Sequence, residues 1–294
     1  VVRTLQLENL SLSIKKDIVL ENITMDMEPG KIYGLIGRNG AGKTSILSLI
    51  ASFRKPTAGG VLIDGRNPFE DEALMPKVDF LYEVDYSAEM ETAQDMFDDA
   101  QRYKPAFEME YAHELMDGFG VVKDKAINEL SKGQQAAVSA TIGLATNSPI
   151  TMFDEITNGM DAPARKYFYK QLLAANERHP RIFILSTHLV SEMDYLFDEV
   201  IIIHKGAVKL QEPMDQLLER GFSVTGTEEN VAQFTKGMKM LGTERLGPTR
   251  SDMVLGRLNE SQLMELETLD LKISPVKLQD LFIRLTDEDR EGVK

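Results

Sequence analysis

Residues Gly37-Arg38-Asn39-Gly40-Ala41-Gly42-Lys43-Thr44 fit the pattern G-x-x-x-x-G-K-[ST], and no other stretch of this 294-residue chain restricts its fold so tightly. The flanks carry as much weight as the motif. Lys31-Ile32-Tyr33-Gly34-Leu35-Ile36 is a continuous apolar run of buried-strand type, and Ile46, Leu47, Leu49 and Ile50 recur at helical spacing. A strand, a glycine loop and a helix in that order turn successive backbone N–H groups inward at the positive end of a helix, where phosphate oxygens fit. Gly37, Gly40 and Gly42 remove the Cβ atoms that would obstruct this turn. Lys43 brings a point charge, Thr44 offers a hydroxyl to a cation such as Mg²⁺, and Ser45 continues the first helical turn. The alternative is a tight glycine turn that binds nothing.

A second feature complements the loop. Ile150-Thr151-Met152-Phe153 is an apolar strand that ends in Asp154-Glu155. Successive strand residues point to opposite faces, so the two carboxylates cannot duplicate one role. Asp154 suits a metal shell beside the phosphate loop, and Glu155 suits orienting or deprotonating an attacking water. Without the loop, two acids after a strand would read as a turn or a helix cap.

The rest of the chain supplies a frame for these motifs. Leu5, Leu7, Leu10, Leu12 and Ile14, then Ile18 to Leu20 and Ile23 to Met27, predict short antiparallel strands. Tyr86 to Gly120 reads as helical, with nine Asp and Glu against Arg102 and Lys104, the pattern of a solvated helical face. Strands return at Ile150 to Phe153, Ile182 to Leu185 and Val200 to Ile203 with helical stretches between, which predicts a parallel sheet covered on both faces and an α/β class. Pro213 and Gly221 bracket a helical connector. Beyond it, strands are expected at Phe222 to Val224, Met253 to Leu255 and Leu271 to Ile273, and helices near Glu228 to Lys236 and Ser261 to Leu266. A final helix is expected from Pro275 to about Leu285, with Pro275 in its first turn. This tail reads as a small α+β appendage.

Charge and composition remove other classes. The net charge of −14 argues against a general nucleic-acid binder, and zero cysteines exclude disulfides and thiolate metal sites. Apolar runs such as Val200 to Ile203 are strand-sized, so no direct membrane insertion is expected. Val1-Val2-Arg3 runs directly into a strand-like segment, and no leader peptide is expected.

Over about residues 3 to 212, the order and spacing of further motifs resemble the ABC transporter ATPase family. Leu130-Ser131-Lys132-Gly133-Gln134 is similar to the family signature L-S-G-G-Q, with Lys132 in place of a glycine. Asn158-Gly159-Met160-Asp161 resembles the family's D-loop, and Thr187-His188 resembles its switch histidine. The resemblance implies a P-loop NTPase core with an antiparallel β subdomain and a helical subdomain at about 86–148. The ATPase domain would span 1–220, with a C-terminal accessory domain at 221–294. It further implies ATP and Mg²⁺ as ligands and catalytic parts for Lys43, Glu155 and His188. Ser131, Gly133, Gln134 and Asp161 would reach nucleotide bound to a second ATPase subunit, identical or paralogous. By itself, Ser131 reads equally as a helix N-cap.

Two positions depart from the family pattern. Val78-Asp79-Phe80-Leu81-Tyr82-Glu83 ends in Glu83 where the family has a metal-sensing Gln, so Glu83 is expected as a metal contact of altered charge. The aromatic residue that stacks on adenine corresponds to about Ile14, and apolar packing there would forgo ~0.5–1.5 kcal/mol of stacking. Lys132 and the segment from Ile273 to Phe282 resemble ATPase subunits of bacterial exporters. The resemblance thus implies a separate transmembrane permease partner and a location at the cytoplasmic face of the cell membrane, peripheral through that partner.

Overall fold

Apolar alternation builds the first strands, and two asparagines break it. In the computed structural model, which describes residues 2–188, 190, 193, 195–219 and 221–286, Leu5, Leu7, Leu10 and Leu12 of β1 (Leu5–Ile14) are buried. So are Leu20, Ile23, Met25 and Met27 of β2 (Asp17–Met27). The buried set skips one position in each strand, at Asn9 and Asn22, whose φ angles are 47° and 51°. These bulges keep every leucine on one face across a slipped register. What the sequence presents as two short strands is therefore one bent strand, β2. The chain then passes through β3 (Ile32–Ile36) and α1 (Lys43–Ile50) and returns as β4 (Ala58–Ile63), completing a three-stranded antiparallel sheet in the order β2-β1-β4. Ala58-Gly59-Gly60 lacks strand-forming side chains, which hid β4 from pattern reading. Gly59 is required there, since a Cβ would stand 2.3 Å from the carbonyl of Asn9.

A 3₁₀ turn at Met75–Lys77 leads into β5 (Val78–Tyr82). The stretch expected as helix from Tyr86 divides into α2 (Ala93–Tyr103) and α3 (Met109–Phe119). Residues 86–92 are not helical, because Thr92 caps α2 in a reciprocal box with Asp95. There follow α4 (Lys132–Ala145), β6 (Ile150–Asp154), α5 (Ala162–Arg178), β7 (Ile182–Thr187), β8 (Glu199–His204) and β9 (Ala207–Pro213). These strands form a six-stranded sheet in the order β5-β6-β7-β3-β8-β9, and the pairs from β5 through β8 are parallel. The two faces bury different partners. Ile150, Met152, Ile182, Ile184, Tyr33 and Leu35 join Ile46, Leu47 and the antiparallel leucines in one core. On the other face, Phe153 meets Phe168 of α5 edge-on at 5.2 Å and lies against Gly143 of α4. This is the doubly covered parallel sheet expected from the strand and helix alternation.

The chain divides into two units, Val1–His188 with Leu196–Gln211, and Leu189–Tyr195 with Glu212–Lys294. The second unit contains α6 (Met214–Glu219), β10 (Gly221–Thr227), α7 (Glu228–Phe234), β11 (Lys239–Leu246), β12 (Thr249–Leu255), α8 (Glu260–Thr268), β13 (Lys272–Pro275) and α9 (Leu278–Thr286). Its antiparallel sheet runs β11-β12-β10-β13 around Phe222, Val224, Val231, Phe234, Val254 and Leu266. One expectation for this region needs correction, and one strand is added. Pro275 ends edge strand β13, opposite Phe222, and the last helix begins at Leu278. Proline is tolerated there because it closes an edge strand and its missing N–H breaks no central ladder. Strand β11 was not foreseen, since Lys239-Met240-Leu241-Gly242-Thr243-Glu244 alternates poorly. Among the described residues, no helix is long and apolar enough to cross a membrane.

Candidate functional site

The carboxyl end of β3 runs directly into the phosphate-loop sequence, and three glycines make that turn possible. Gly40 and Gly42 adopt φ of 78° and 109°, and Gly42 caps α1. At Gly37 a Cβ would stand 2.8 Å from the carbonyl of Ile203, and at Gly42 it would stand 2.5 Å from the Leu20 side chain. The loop is therefore cradled on both sides by backbone and core. Its far side is tied to the β8–β9 turn, where the Gly206 amide donates to Ala41 O at 3.0 Å and Gly206 O accepts from the Glu21 amide at 2.9 Å. Sequence reading passed over Gly206, although a Lys-Gly pair between two strand-like runs marks a hairpin turn.

Lys43 is 5% exposed and its ammonium donates to Gly37 O at 2.7 Å. The same ammonium lies 3.3 Å from Glu155 Oε1. Thr44 donates to Asp154 Oδ2 at 2.6 Å, and Ser186 donates to Asp154 Oδ1. Asp154 and Met152 share one face of β6 by strand alternation, which aims the carboxylate toward α1. Ser186 occupies the register position opposite Asp154 on β7, a contact that no sequence motif announced.

Glu155 turns out of that alternation. Its φ of 49° places a non-glycine residue in the left-handed region immediately after β6, and its amide bonds to Ser186 O at 3.2 Å. The turned carboxylate accepts from Asn158 Nδ2 at 2.9 Å and lies 3.0 Å from His188 Nδ1. Burial pushes this carboxyl up. The Asn158 hydrogen bond and the nearby Lys43 and His188 outweigh that effect and hold it below its ordinary value near 4.5. Asn158 belongs to the D-loop-like segment, and its bond to Glu155 has no signal in the sequence.

A cavity of about 390 Å³ opens over the loop, lined by Val19, Asn39, Gly40, Gly42, Lys43, Thr44, Ser45 and Glu155. Ile14 is not among these residues. It ends β1 opposite Asp17 in the hairpin and is 41% exposed, whereas the apolar wall is Val19. Arg38 and Ala41 shape the turn by a 3.0 Å bond from the Ala41 amide to Arg38 O.

Ser131, Gly133, Gln134 and Asp161 gather elsewhere on the same unit. Ser131 caps α4 in a reciprocal box with Gln134, and Asp161 caps α5 by accepting from the Ala164 amide at 2.9 Å. A Cβ on Gly133 would meet Gly159 O at 2.5 Å, so the α4 start and the loop after β6 pack backbone to backbone. Together these residues line a second, more polar cavity of about 520 Å³. Within one chain they are not brought to the phosphate loop. Glu83 follows β5 and lines a third, small cavity that shares Glu155, but not Thr44 or Asp154, with the loop. Its carboxylate is 3.8 Å from Lys132 Nζ.

A protein-family model described as "ABC transporter" matches residues 20–158. Among curated proteins, the "ABC transporter ATP-binding protein YtrB" of Bacillus subtilis is 24% identical over 95% of this chain and 97% of its own length. The "Fe(3+) ions import ATP-binding protein FbpC" of Pasteurella multocida is 28% identical over 74% of this chain and 63% of its own. Among solved structures, one described as "Structure of ATP binding subunit of ABC transporter" superposes with a TM-score of 0.66 at 24% identity, covering 72% of this chain and 91% of that one.

Proposed function

Because the chain belongs to the ABC transporter ATP-binding family, an ATPase that powers transport, we propose that it hydrolyses MgATP in the cavity over Lys43 and that two such sites form between paired subunits. One observation carries this reading. Lys43, Thr44, Asp154, Glu155 and His188, drawn from three separate segments, are linked by contacts of 2.6 to 3.3 Å at the carboxyl ends of β3, β6 and β7. Ligands of open parallel sheets bind at those strand ends.

The residues fit a magnesium nucleotide. The glycine loop has no room for Cβ atoms at Gly37 and Gly42, and the backbone there can approach a polyphosphate closely. The Thr44 hydroxyl and Asp154 carboxylate offer the hard oxygens that Mg²⁺ accepts, with phosphates and water completing its shell. The ion when bound would neutralise charge developing on the β- and γ-phosphates. Lys43 would exchange its loop carbonyl for phosphate oxygens. Glu155, held ionised by Asn158, Lys43 and His188, would orient the attacking water through an accepted hydrogen bond and take its proton as the bond to phosphorus forms. His188 would steady that carboxylate and the γ-phosphate. Val19 would pack against the base.

The second cavity supports the paired arrangement. Ser131, Gly133, Gln134 and Asp161 line it on one unit, away from the chain's own phosphate loop, so a head-to-tail partner would bring its nucleotide to them. The partner is a second copy or a paralogue. A membrane permease would dock near β5, where Phe53 and Tyr82 are 62% and 40% exposed and cluster with Phe80 at ring distances of 4.9 to 6.2 Å. Such a partner would hold the chain at the cytoplasmic face of the membrane. Lys132 and the segment from Ile273 to Phe282 favour export as the direction. FbpC, named for iron import, matches a smaller share of this chain than YtrB does. The test is MgATP turnover by the chain with its co-purified membrane subunit, and an assembled complex without turnover would overturn the reading.

A further inference from the structure

Two of the residues that depart from the family motifs meet in space. Glu83, where the pattern has a neutral glutamine, stands 3.8 Å from Lys132, where the pattern has glycine. Both are mostly exposed, at 68% and 61%, so neither is forced into contact by burial. They belong to different segments. Glu83 follows β5, and Lys132 is the first residue of α4, next to its Ser131 cap. Both line the small cavity of about 30 Å³, whose walls also include Gln135 and Ser139 of α4, Glu155 and Asn158 after β6, and the apolar Val84 and Ile156. That volume holds about one water molecule. Gln135 is 8% exposed and donates to Ile127 O at 2.9 Å, and its Oε1 has no partner among the described residues. The pair thus bridges the loop after β5 and the start of α4 over a small chamber that reaches the Glu155 carboxylate.

We propose that Glu83 and Lys132 are a matched pair of positioning residues, and that Glu83 acts through Lys132 and the start of α4 rather than through a bound metal. This rests on the function proposed above and deepens it. A neutral side chain at position 83 could hold a water or an ion, but it would leave Lys132 without this counter-charge. A glycine at 132 would leave Glu83 facing Glu155 across the chamber with nothing to offset its charge. Each departure is thereby made tolerable by the other. Because Lys132 adjoins Ser131, Gly133 and Gln134, movement of the loop that carries Glu83 is passed to the surface offered to the other subunit's nucleotide. Asp85 also faces Lys132, so the lysine keeps one acidic neighbour when Glu83 is removed.

A double-mutant cycle on the assembled transporter tests this. Glu83→Gln and Lys132→Gly are made singly and together, with Asp85→Asn as a control. Exposed pairs of this kind couple by about two- to fivefold in an equilibrium or rate. The expected result is that Glu83→Gln lowers kcat by that factor with KM for ATP unchanged, and changes nothing further once Lys132 is glycine. Lys132→Arg should restore the coupling. An equal cost of Glu83→Gln in both backgrounds would overturn the proposal, as would a shift in the Mg²⁺ concentration giving half-maximal rate. A second measurement is independent of turnover. Brief acetylation followed by peptide mass spectrometry should show Lys132 modified about twofold faster in Glu83→Gln, with other lysines unchanged. Unchanged Lys132 labelling would refute the pairing even in a chain that hydrolyses nothing, whereas absent turnover with faster labelling would sink only the proposed function.

Discussion

The Lys43 ammonium lies 3.3 Å from Glu155 Oε1 and 2.7 Å from Gly37 O, so the buried loop cation and the half-buried strand-end carboxylate share one corner of the site. Neither group can be altered without changing the charge felt by the other. This coupling gives the loop substitutions a double effect.

Lys43→Ala removes the cation from both the phosphate site and the Glu155 carboxylate. A charge-assisted contact is worth about 1.5–3 kcal/mol, so nucleotide affinity should fall about 10- to 100-fold. Titration with a fluorescent ATP analogue reads this directly, and unchanged affinity would remove Lys43 from the phosphate site.

Glu155→Gln retains the shape and the bond from Asn158 but cannot take a proton. Turnover should fall by about 10²- to 10⁴-fold. ATP should still bind, and an ATP-dependent dimer should accumulate in light scattering because the nucleotide is no longer consumed. Normal hydrolysis by this variant would assign the water-orienting role elsewhere.

The acid limb of the pH profile follows from the direction of the Glu155 shift. A carboxyl held below its ordinary value near 4.5 stays ionised to lower pH, so its contributions to activity and stability are complete above that value. Both are lost as pH falls through the depressed folded value. In His188→Ala one lowering influence is gone, and the acid limb should move up toward 4.5. Rate profiles of the two proteins, compared at saturating ATP, check the displacement.

Gly133→Ala places a methyl group 2.5 Å from Gly159 O, a backbone atom that cannot swing aside. The start of α4 and the loop after β6 must separate. Dimer formation should weaken more than nucleotide binding by the isolated chain, since the phosphate loop is not part of that contact. Equilibrium binding and sedimentation separate the two effects.

In the second unit, Asp252 is fully buried and accepts from Thr235 at 2.9 Å, Thr243 at 2.8 Å and both Nε and Nη2 of Arg250 at 2.8 Å. Asp252→Ala strands these donors, and should destabilise this unit by about 2–4 kcal/mol. Denaturant unfolding followed by hydrogen exchange on β10 and β12 is the appropriate measurement. The loss should leave ATP binding by the first unit unchanged.

Much of the site was legible because its parts are local. A loop that must bend backbone around phosphate needs glycines at fixed spacing, and a carboxylate beside it must follow an apolar strand. What pattern reading lost is instructive. Ile14 matches the family's adenine-stacking position, whereas the cavity over the loop is lined by Val19 and not by Ile14. Ser186 was passed over because a serine in a strand has no pattern of its own, and its bond to Asp154 exists only through the β6–β7 register. Strand β4 was hidden by glycines that serve the neighbouring bulge. Pro275 read as a helix start because edge position is a property of the sheet.

The amino-acid order by itself determined the chemical parts: a glycine loop ending in Lys43-Thr44, an acidic strand end, and strand and helix periodicities that demand a covered parallel sheet. These depend on neighbours within a few residues, where backbone sterics and side-chain alternation decide the outcome. Only the tertiary structure decided which parts meet. Lys43 with Glu155, Asp154 with Thr44 and Ser186, and Glu83 with Lys132 are joined across dozens of residues. Register, bulges and the turned backbone at Glu155 fix those distances, and no local pattern encodes them.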